Sequence, residues 1–144
     1  MKTLFYTCDK CGNVIMKIFD SGMKPFCCGT TMNELKPTYS DDTMGEKHVP
    51  SCTLRGRKLK VKIGSTEHPY TAEHHIEWIY VQTSKGGYLR YIGLGEKPEI
   101  CLKLCCKEEK IETVYCYCNL HGLWALDHSL ISLEEDDENC ESDC

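Results

Sequence analysis

The chain has 144 residues, enough for one domain of ordinary size or for a small module plus a domain of about 100 residues. It is 27% charged and 41% hydrophobic, with no apolar stretch near the roughly 18 residues of a membrane span, so a soluble chain that does not enter membranes is expected. Net charge is -5, but Glu134 to Cys144 hold seven acids and no base, leaving 15 acids against 17 bases elsewhere; this argues against a nucleic-acid binder built on strong positive charge.

Residues 1–37 read as a separate small unit. Leu4 to Thr7 and Val14 to Phe19 have the composition of short strands, joined through Cys8-Asp9-Lys10-Cys11. Gly22, Pro25 and Gly29 then interrupt the chain, and Lys36-Pro37 marks the exit. The unit has too few apolar side chains to fold by burial alone, so it requires a staple.

Residues 38–133 read as strands throughout. Lys58 to Ile63 sets Leu59, Val61 and Ile63 on one face, and His75 to Gln82 is β-rich on both faces. Tyr88 to Leu94 follows the Gly86-Gly87 turn; Glu99 to Leu104, Ile111 to Tyr117 and Leu123 to Leu126 complete the series. Pro50, Pro69 and Pro98 fall between these runs. Turn signals roughly every ten residues predict an antiparallel β-sandwich, so the fold class is all-β. Residues 134–144 read as an acidic, disordered tail.

Twelve cysteines would suit a secreted disulfide scaffold, yet only Thr3 to Thr7 separates Met1-Lys2 from Cys8, which leaves no room for an export signal. A reducing compartment is therefore expected, with the cytoplasm as the location and metal ligation as the leading use of thiolates. Cys8 and Cys11, then Cys27 and Cys28 after fifteen residues, offer four soft donors to a tetrahedral iron or zinc. Gly12 relieves the first turn, whereas adjacent side chains at Cys27 and Cys28 tend to diverge. A zinc staple without redox function is the plainer reading of the same four residues.

Five of the six histidines and one further cysteine occupy three short segments: Glu46-Lys47-His48-Val49-Pro50, His68 to His75, and Cys118-Asn119-Leu120-His121-Gly122. All lie in predicted loops or at strand ends, where a rigid sandwich displays a site. Imidazoles with one thiolate suit iron, copper or zinc, so a second metal site is expected.

The two constellations together resemble the desulfoferrodoxin type of superoxide reductase. Four motifs carry the resemblance in order between about Thr3 and Leu126: the four N-terminal cysteines, Glu46 to Pro50, His68-Pro69 with Glu73-His74 and Trp78-Ile79, and Cys118 to Gly122. The resemblance implies a rubredoxin-like unit followed by an immunoglobulin-like sandwich, paired as a homodimer. It implies two irons, one on Cys8, Cys11, Cys27 and Cys28, the other on His48, His68, His74 and His121 with Cys118 as axial thiolate. The implied reaction is the one-electron reduction of superoxide to hydrogen peroxide at an open sixth position, without oxygen release. Rubredoxin or a similar small carrier restores the iron; neither nucleic acid nor membrane takes part.

By the same resemblance Lys47 attracts superoxide and orients the protonating water, while Glu46 occupies the sixth position of ferric iron after peroxide leaves. His75 adjoins His74 where the family often carries an aromatic residue; the family register selects His74. His128 matches no motif and reads as surface. Cys116 lies two residues before Cys118 and shares its expected strand face. Cys52, Cys101, Cys105 and Cys106 read as buried thiols, whereas Cys140 and Cys144 could pair, bind metal or cross-link chains. The competing readings are a non-catalytic electron carrier, which needs no open coordination position, and a zinc-stapled structural protein, which leaves the sandwich histidines unused.

Overall fold

The computed structural model describes residues 3–39, 45–65 and 67–135, apart from the side chains of Gly45 and Glu46. It divides into two compact units, Met1–Lys36 and Pro37–Cys144. The regular structure of the described residues is almost all strand, and none of their helices is long and apolar enough to cross a membrane.

In the first unit β1 (Leu4–Thr7) lies between β2 (Val14–Lys17) and, after the hairpin β3 (Phe26–Cys27) and β4 (Thr30–Thr31), β5 (Asn33–Leu35). The second predicted strand therefore stops at Lys17: Ile18 and Phe19 are exposed and pair with nothing in the sheet. Among its described residues Tyr6, Cys8 and Met32 form a buried cluster, with Leu4, Ile15 and Cys27 packed around them, and Phe5 is buried as well. So small a core agrees with the need for a staple.

The second unit is a sandwich. A four-residue helix α1 (Gly45–His48) precedes β6 (Pro50–Arg55), β7 (Lys58–Ile63), β8 (Ile76–Thr83), β9 (Gly86–Tyr91), β10 (Glu99–Lys103), β11 (Ile111–Cys118), β12 (Gly122–Asp127) and β13 (Ser132–Glu134). One sheet runs β10-β7-β6-β13 and the other β12-β11-β8-β9. The inward residues of both meet in one core: Leu59, Val61 and Ile63 against Ile79, Val81, Val114 and Leu126. Each such side chain fully buried is worth about 1.5–3 kcal/mol, while Lys60 and Lys62 alternate outward to solvent.

Three features depart from the sequence expectation. β6 starts at Pro50 itself, not after it; as first residue Pro50 pairs with Ile63, where a missing amide donor is tolerated. The sandwich runs beyond residue 133, because β13 adds in parallel beside β6 and Arg55 Nη2 meets Glu134 Oε2 at 2.6 Å. Of the expected acidic tail, the segment past Glu135 lies outside the described residues, including Cys140 and Cys144. The cysteines also differ: Cys52 and Cys116 are buried thiols, but Cys105 is exposed, Cys106 is half-buried, and Cys101 is exposed and disulfide-bonded.

Candidate metal centre

The first cluster is built by two turns. Gly12 N–H donates to the Cys8 carbonyl at 2.8 Å and Cys8 N–H to Asn13 O at 2.9 Å, closing a tight turn that needs the left-handed Gly12, φ 76°. Opposite it, Cys28 and Gly29 are the two central residues of the β3–β4 hairpin, with φ 51° and 76°. Positive φ at both is the two-residue turn that suits the twist of a hairpin. This left-handed Cys28 costs about 1–2 kcal/mol. It also answers the expected divergence of adjacent side chains, since it brings Cys27 and Cys28 Sγ to 3.8 Å.

All four sulfurs lie within 4.8 Å of one another, with Cys11 and Cys27 Sγ 3.6 Å apart. A tetrahedral site with metal–sulfur bonds of about 2.3 Å has sulfur–sulfur edges of about 3.8 Å, so this donor set fits. Backbone N–H groups of Cys11 and Lys10 hold the Cys8 thiol down to about 7, while hydrogen bonding with Cys11 pushes Cys28 up to about 12. Four thiols this close cannot all ionise without a cation among them.

The second cluster gathers loops at one end of the sandwich. His48 closes α1, His68 and His74 lie in the β7–β8 connection, and Cys118 and His121 bracket the β11–β12 turn. The four imidazoles form a closed ring in the order His48, His68, His74, His121. Neighbouring centroids are 4.6, 4.6, 4.9 and 4.8 Å apart, each pair close to perpendicular. The donor atoms of His48, His68, His74 and Cys118 all lie within 4.8 Å of one another. His121 Nδ1 completes the set, 3.0 Å from His48 Nε2 and 3.7 Å from Cys118 Sγ.

A metal held by this ring would account for two otherwise costly atoms. His68 Nε2 and His74 Nε2 are buried without a hydrogen-bond partner, a state that normally costs a polar group free energy. His68 is fixed in that tautomer because its Nδ1–H donates to Pro69 O at 2.5 Å, which aims the Nε2 lone pair into the ring. Burial depresses His68 to about 4 and also lowers His74, whose environment includes the charges of His121 and Lys47. Both thus present neutral donor nitrogens at physiological pH. Burial raises the Cys118 thiol, so its thiolate form needs a nearby cation.

Neighbouring side chains hold this ring. Trp124 stacks on His48 with centroids 4.7 Å apart, and its Nε1–H donates to His121 O at 3.1 Å. Asn119 ties the β7–β8 connection to the Cys118 turn: Nδ2–H donates to Glu73 O, and Oδ1 accepts from His75 N–H, both at 2.9 Å. Neither role was read from the sequence, because both depend on contacts made only in the fold. A bulge helps aim Cys118: Tyr117 pairs with Trp78 but Cys118 with Ile76, so Glu77 is the extra residue.

The remaining candidates separate clearly. His75 lies outside the ring, its Nδ1–H donating to Thr71 O at 3.0 Å. Cys116 donates its S–H to His48 O instead of joining the donor set. His128 is exposed beside Asp127. Lys47 is exposed next to His48, whereas the Glu46 side chain lies outside the described residues.

An all-β chain with one four-cysteine cluster and one cluster of four histidines and a cysteine is a protein with two candidate iron centres. The desulfoferrodoxin family model matches residues 40–127. Desulfoferrodoxin of Syntrophotalea carbinolica is 36% identical over 120 residues, covering 83% of this chain and 92% of that protein. The superoxide reductase of Pyrococcus horikoshii is 34% identical over 108 residues, 62% of this chain and 93% of the other. Among solved structures, the superoxide reductase from Treponema pallidum superposes with a TM-score of 0.71 at 27% identity, over 88% of this chain and 98% of that one. This chain belongs to the desulfoferrodoxin family.

Proposed function

We propose that this protein is a superoxide reductase, converting superoxide to hydrogen peroxide by one electron without evolving oxygen. The ring of four imidazoles with the Cys118 thiol beside it, two of its buried nitrogens lacking any other partner, carries this reading. The proposed ligands are His48, His68, His74, His121 and Cys118 for the reacting iron, and Cys8, Cys11, Cys27 and Cys28 for a second iron. Held by the histidine set, iron would supply the electron, and an external carrier such as rubredoxin is proposed to return it.

The chain's own residues set the rest. Neutral imidazoles add no negative charge, so the Cys118 thiolate alone offsets the cation and the site stays positive toward an anion. Exposed Lys47 extends that positive field to solvent, where it draws superoxide in and orients the water that delivers protons. Glu46, its neighbour, is the proposed carboxylate that would hold the remaining position of an oxidised iron. Asn119 and Trp124 keep the loops in register during turnover. A cytoplasmic homodimer completes the proposal.

The test is a stoichiometry. Iron-loaded protein is reduced anaerobically and given superoxide in known portions while ferric iron, peroxide and oxygen are followed together. One iron oxidised and one peroxide formed per superoxide, with no catalysed oxygen release, supports reductase chemistry. Catalysed oxygen release indicates a dismutase, and an iron that does not react overturns the proposal.

A further inference from the structure

At the opposite end of β8 and β11 from the histidine ring, about 25 Å away along eight-residue strands, lies a second group of reactive side chains. Cys105 and Cys106 follow β10, and their sulfurs are in contact at 3.6 Å. The Lys85 ammonium, from the β8–β9 turn, donates to Cys106 Sγ at 3.0 Å. Cys105 is exposed and Cys106 half-buried, so both are open to a small solute.

The surroundings hold this pair in place. Buried Glu109 accepts from the Cys105 backbone N–H at 2.8 Å, from Thr83 Oγ1 at 2.6 Å and from Tyr88 OH at 3.2 Å. Arg57 Nη1 donates to Cys105 O at 2.9 Å, so the Cys105 residue is gripped at both its amide and its carbonyl. Ser84 and Lys110 exchange two further bonds that join the Lys85 turn to the same loop, Ser84 N–H to Lys110 O at 2.8 Å and Lys110 N–H to Ser84 Oγ at 3.0 Å. The two sulfurs are made unequal. Lys85 lowers the Cys106 thiol below its usual range, whereas hydrogen bonding with Glu109 pushes Cys105 up to about 11. Glu108 opposes the effect of Lys85 on Cys106 but does not reverse it. Cys105 therefore remains the thiol that donates to a Cys106 thiolate.

We propose that Cys106 is a peroxide-reactive thiolate and Cys105 its resolving thiol, so that the pair is a two-electron redox site whose oxidant is hydrogen peroxide. The Cys106 sulfur attacks one peroxide oxygen; the S–O bond forms, the O–O bond breaks, and hydroxide leaves and is protonated by solvent through the Lys85 ammonium. The Cys105 sulfur then attacks Cys106; the S–S bond forms, the S–O bond breaks, and the departing hydroxide leaves as water with the Cys105 proton. Two thiols lose two electrons and peroxide becomes two waters. Neighbouring Cα atoms are only about 3.8 Å apart, short of the usual span of a disulfide, so the product is strained and a dithiol reductant reverses it by exchange. The inference goes beyond the iron chemistry and stands without it, although peroxide is also the product that chemistry would release at the far end of the same sandwich.

The test uses the full iron-loaded chain, reduced with a dithiol, desalted without oxygen and treated with a few equivalents of hydrogen peroxide. Trypsin releases Leu104 to Lys107 as one peptide, which contains both cysteines. The expected result is loss of two hydrogens from this peptide and its escape from alkylation, while Cys52 and Cys116 still alkylate after unfolding. Cys105→Ser leaves Cys106 as a sulfenic acid that dimedone traps, and Lys85→Ala slows Cys106 oxidation about tenfold by lowering its thiolate fraction. A pair that still alkylates fully, an unchanged rate in Lys85→Ala, or a bound metal shielding both sulfurs overturns the inference. Added peroxide bypasses the histidine site, so failure of superoxide reduction leaves this experiment intact.

Discussion

The Cys116 thiol donates a hydrogen bond to the backbone carbonyl of His48 at 3.1 Å. Strand β11 thus reaches the histidine ring twice, through the Cys118 sulfur and, two residues earlier, through the backbone of a ring member. Burial holds Cys116 far above the usual thiol range, which keeps it protonated and able to donate.

Cys116→Ala removes this donor from a buried carbonyl and is expected to cost about 1–3 kcal/mol. Cys116→Ser supplies a hydroxyl in its place and is expected to recover most of that loss. Thermal unfolding and iron retention against a chelator measure both. Equal behaviour of the two variants would mean that packing, and not the bond, is what matters at this position.

Asn119 joins two chain segments more than forty residues apart, bonding Glu73 and His75 at one side and continuing into Cys118 at the other. Asn119→Ala is expected to weaken iron binding at the histidine site about 10–100-fold, as loss of a partner that orients ligands does. Asn119→Asp keeps the acceptor for His75 N–H and is expected to fall between. Competition with a chelator, followed by the optical signal of the ferric site, ranks the three proteins. The four-cysteine centre serves as internal control.

Cys118→Ser exchanges a polarizable sulfur for a hydroxyl beside the histidine ring. The sulfur-to-ferric-iron absorption is expected to disappear while the signals of the four-cysteine centre persist. Survival of that band would shift the ligand role to Cys116, which its bond to His48 O argues against.

How much of this could be read from the chain depended on how local each signal was. Lys58 to Ile63 alternates so cleanly with lysines that β7 was legible residue for residue. β6 was not: it opens on Pro50, and of its inward positions only Cys52 and Leu54 are plainly apolar. β13 is exposed along its whole length and is held by backbone pairing and the Arg55–Glu134 contact, neither of which leaves a hydrophobic pattern. At the metal sites, Cys8-x2-Cys11 and Cys118-x2-His121 are turn-local and stood out as donor pairs. That the three histidine-bearing loops converge came from the family resemblance, since spacing carries no information about loops meeting at a sandwich end. The left-handed Cys28 was hidden as well, because two adjacent cysteines do not announce a hairpin turn that normally takes Asn-Gly.

Lys47 lies exposed beside His48, where its charge already bears on His74. Lys47→Ala is expected to slow the second-order reaction with superoxide about tenfold at low ionic strength, and the difference should shrink as salt is added. Glu46→Ala is expected to leave that step largely intact. Fast-reaction measurements with generated superoxide test both; an unchanged rate for Lys47→Ala at low salt would remove the steering role, and abolished turnover in Glu46→Ala would remove the role proposed for that carboxylate.

Two groups at opposite ends of the sandwich give the metal-free protein an expected pH profile. His68 is held at about 4 by burial against an ordinary value of 6.5, so between those values the unfolded chain takes up a proton that the folded one refuses. Stability is therefore full above pH 6.5 and falls as pH drops toward 4. Glu109 is held at about 2, against 4.5, chiefly by the Thr83 hydroxyl; its contribution is full above pH 4.5 and is lost as pH falls from there toward 2. Denaturant midpoints followed from pH 8 to pH 3 are expected to decline across both windows. His68→Gln should flatten the upper part of the decline and Glu109→Gln the lower part. Loss of the upper slope in Glu109→Gln would show that the two titrations are not independent, and an unaltered profile in both variants would place the acid sensitivity elsewhere in the sandwich.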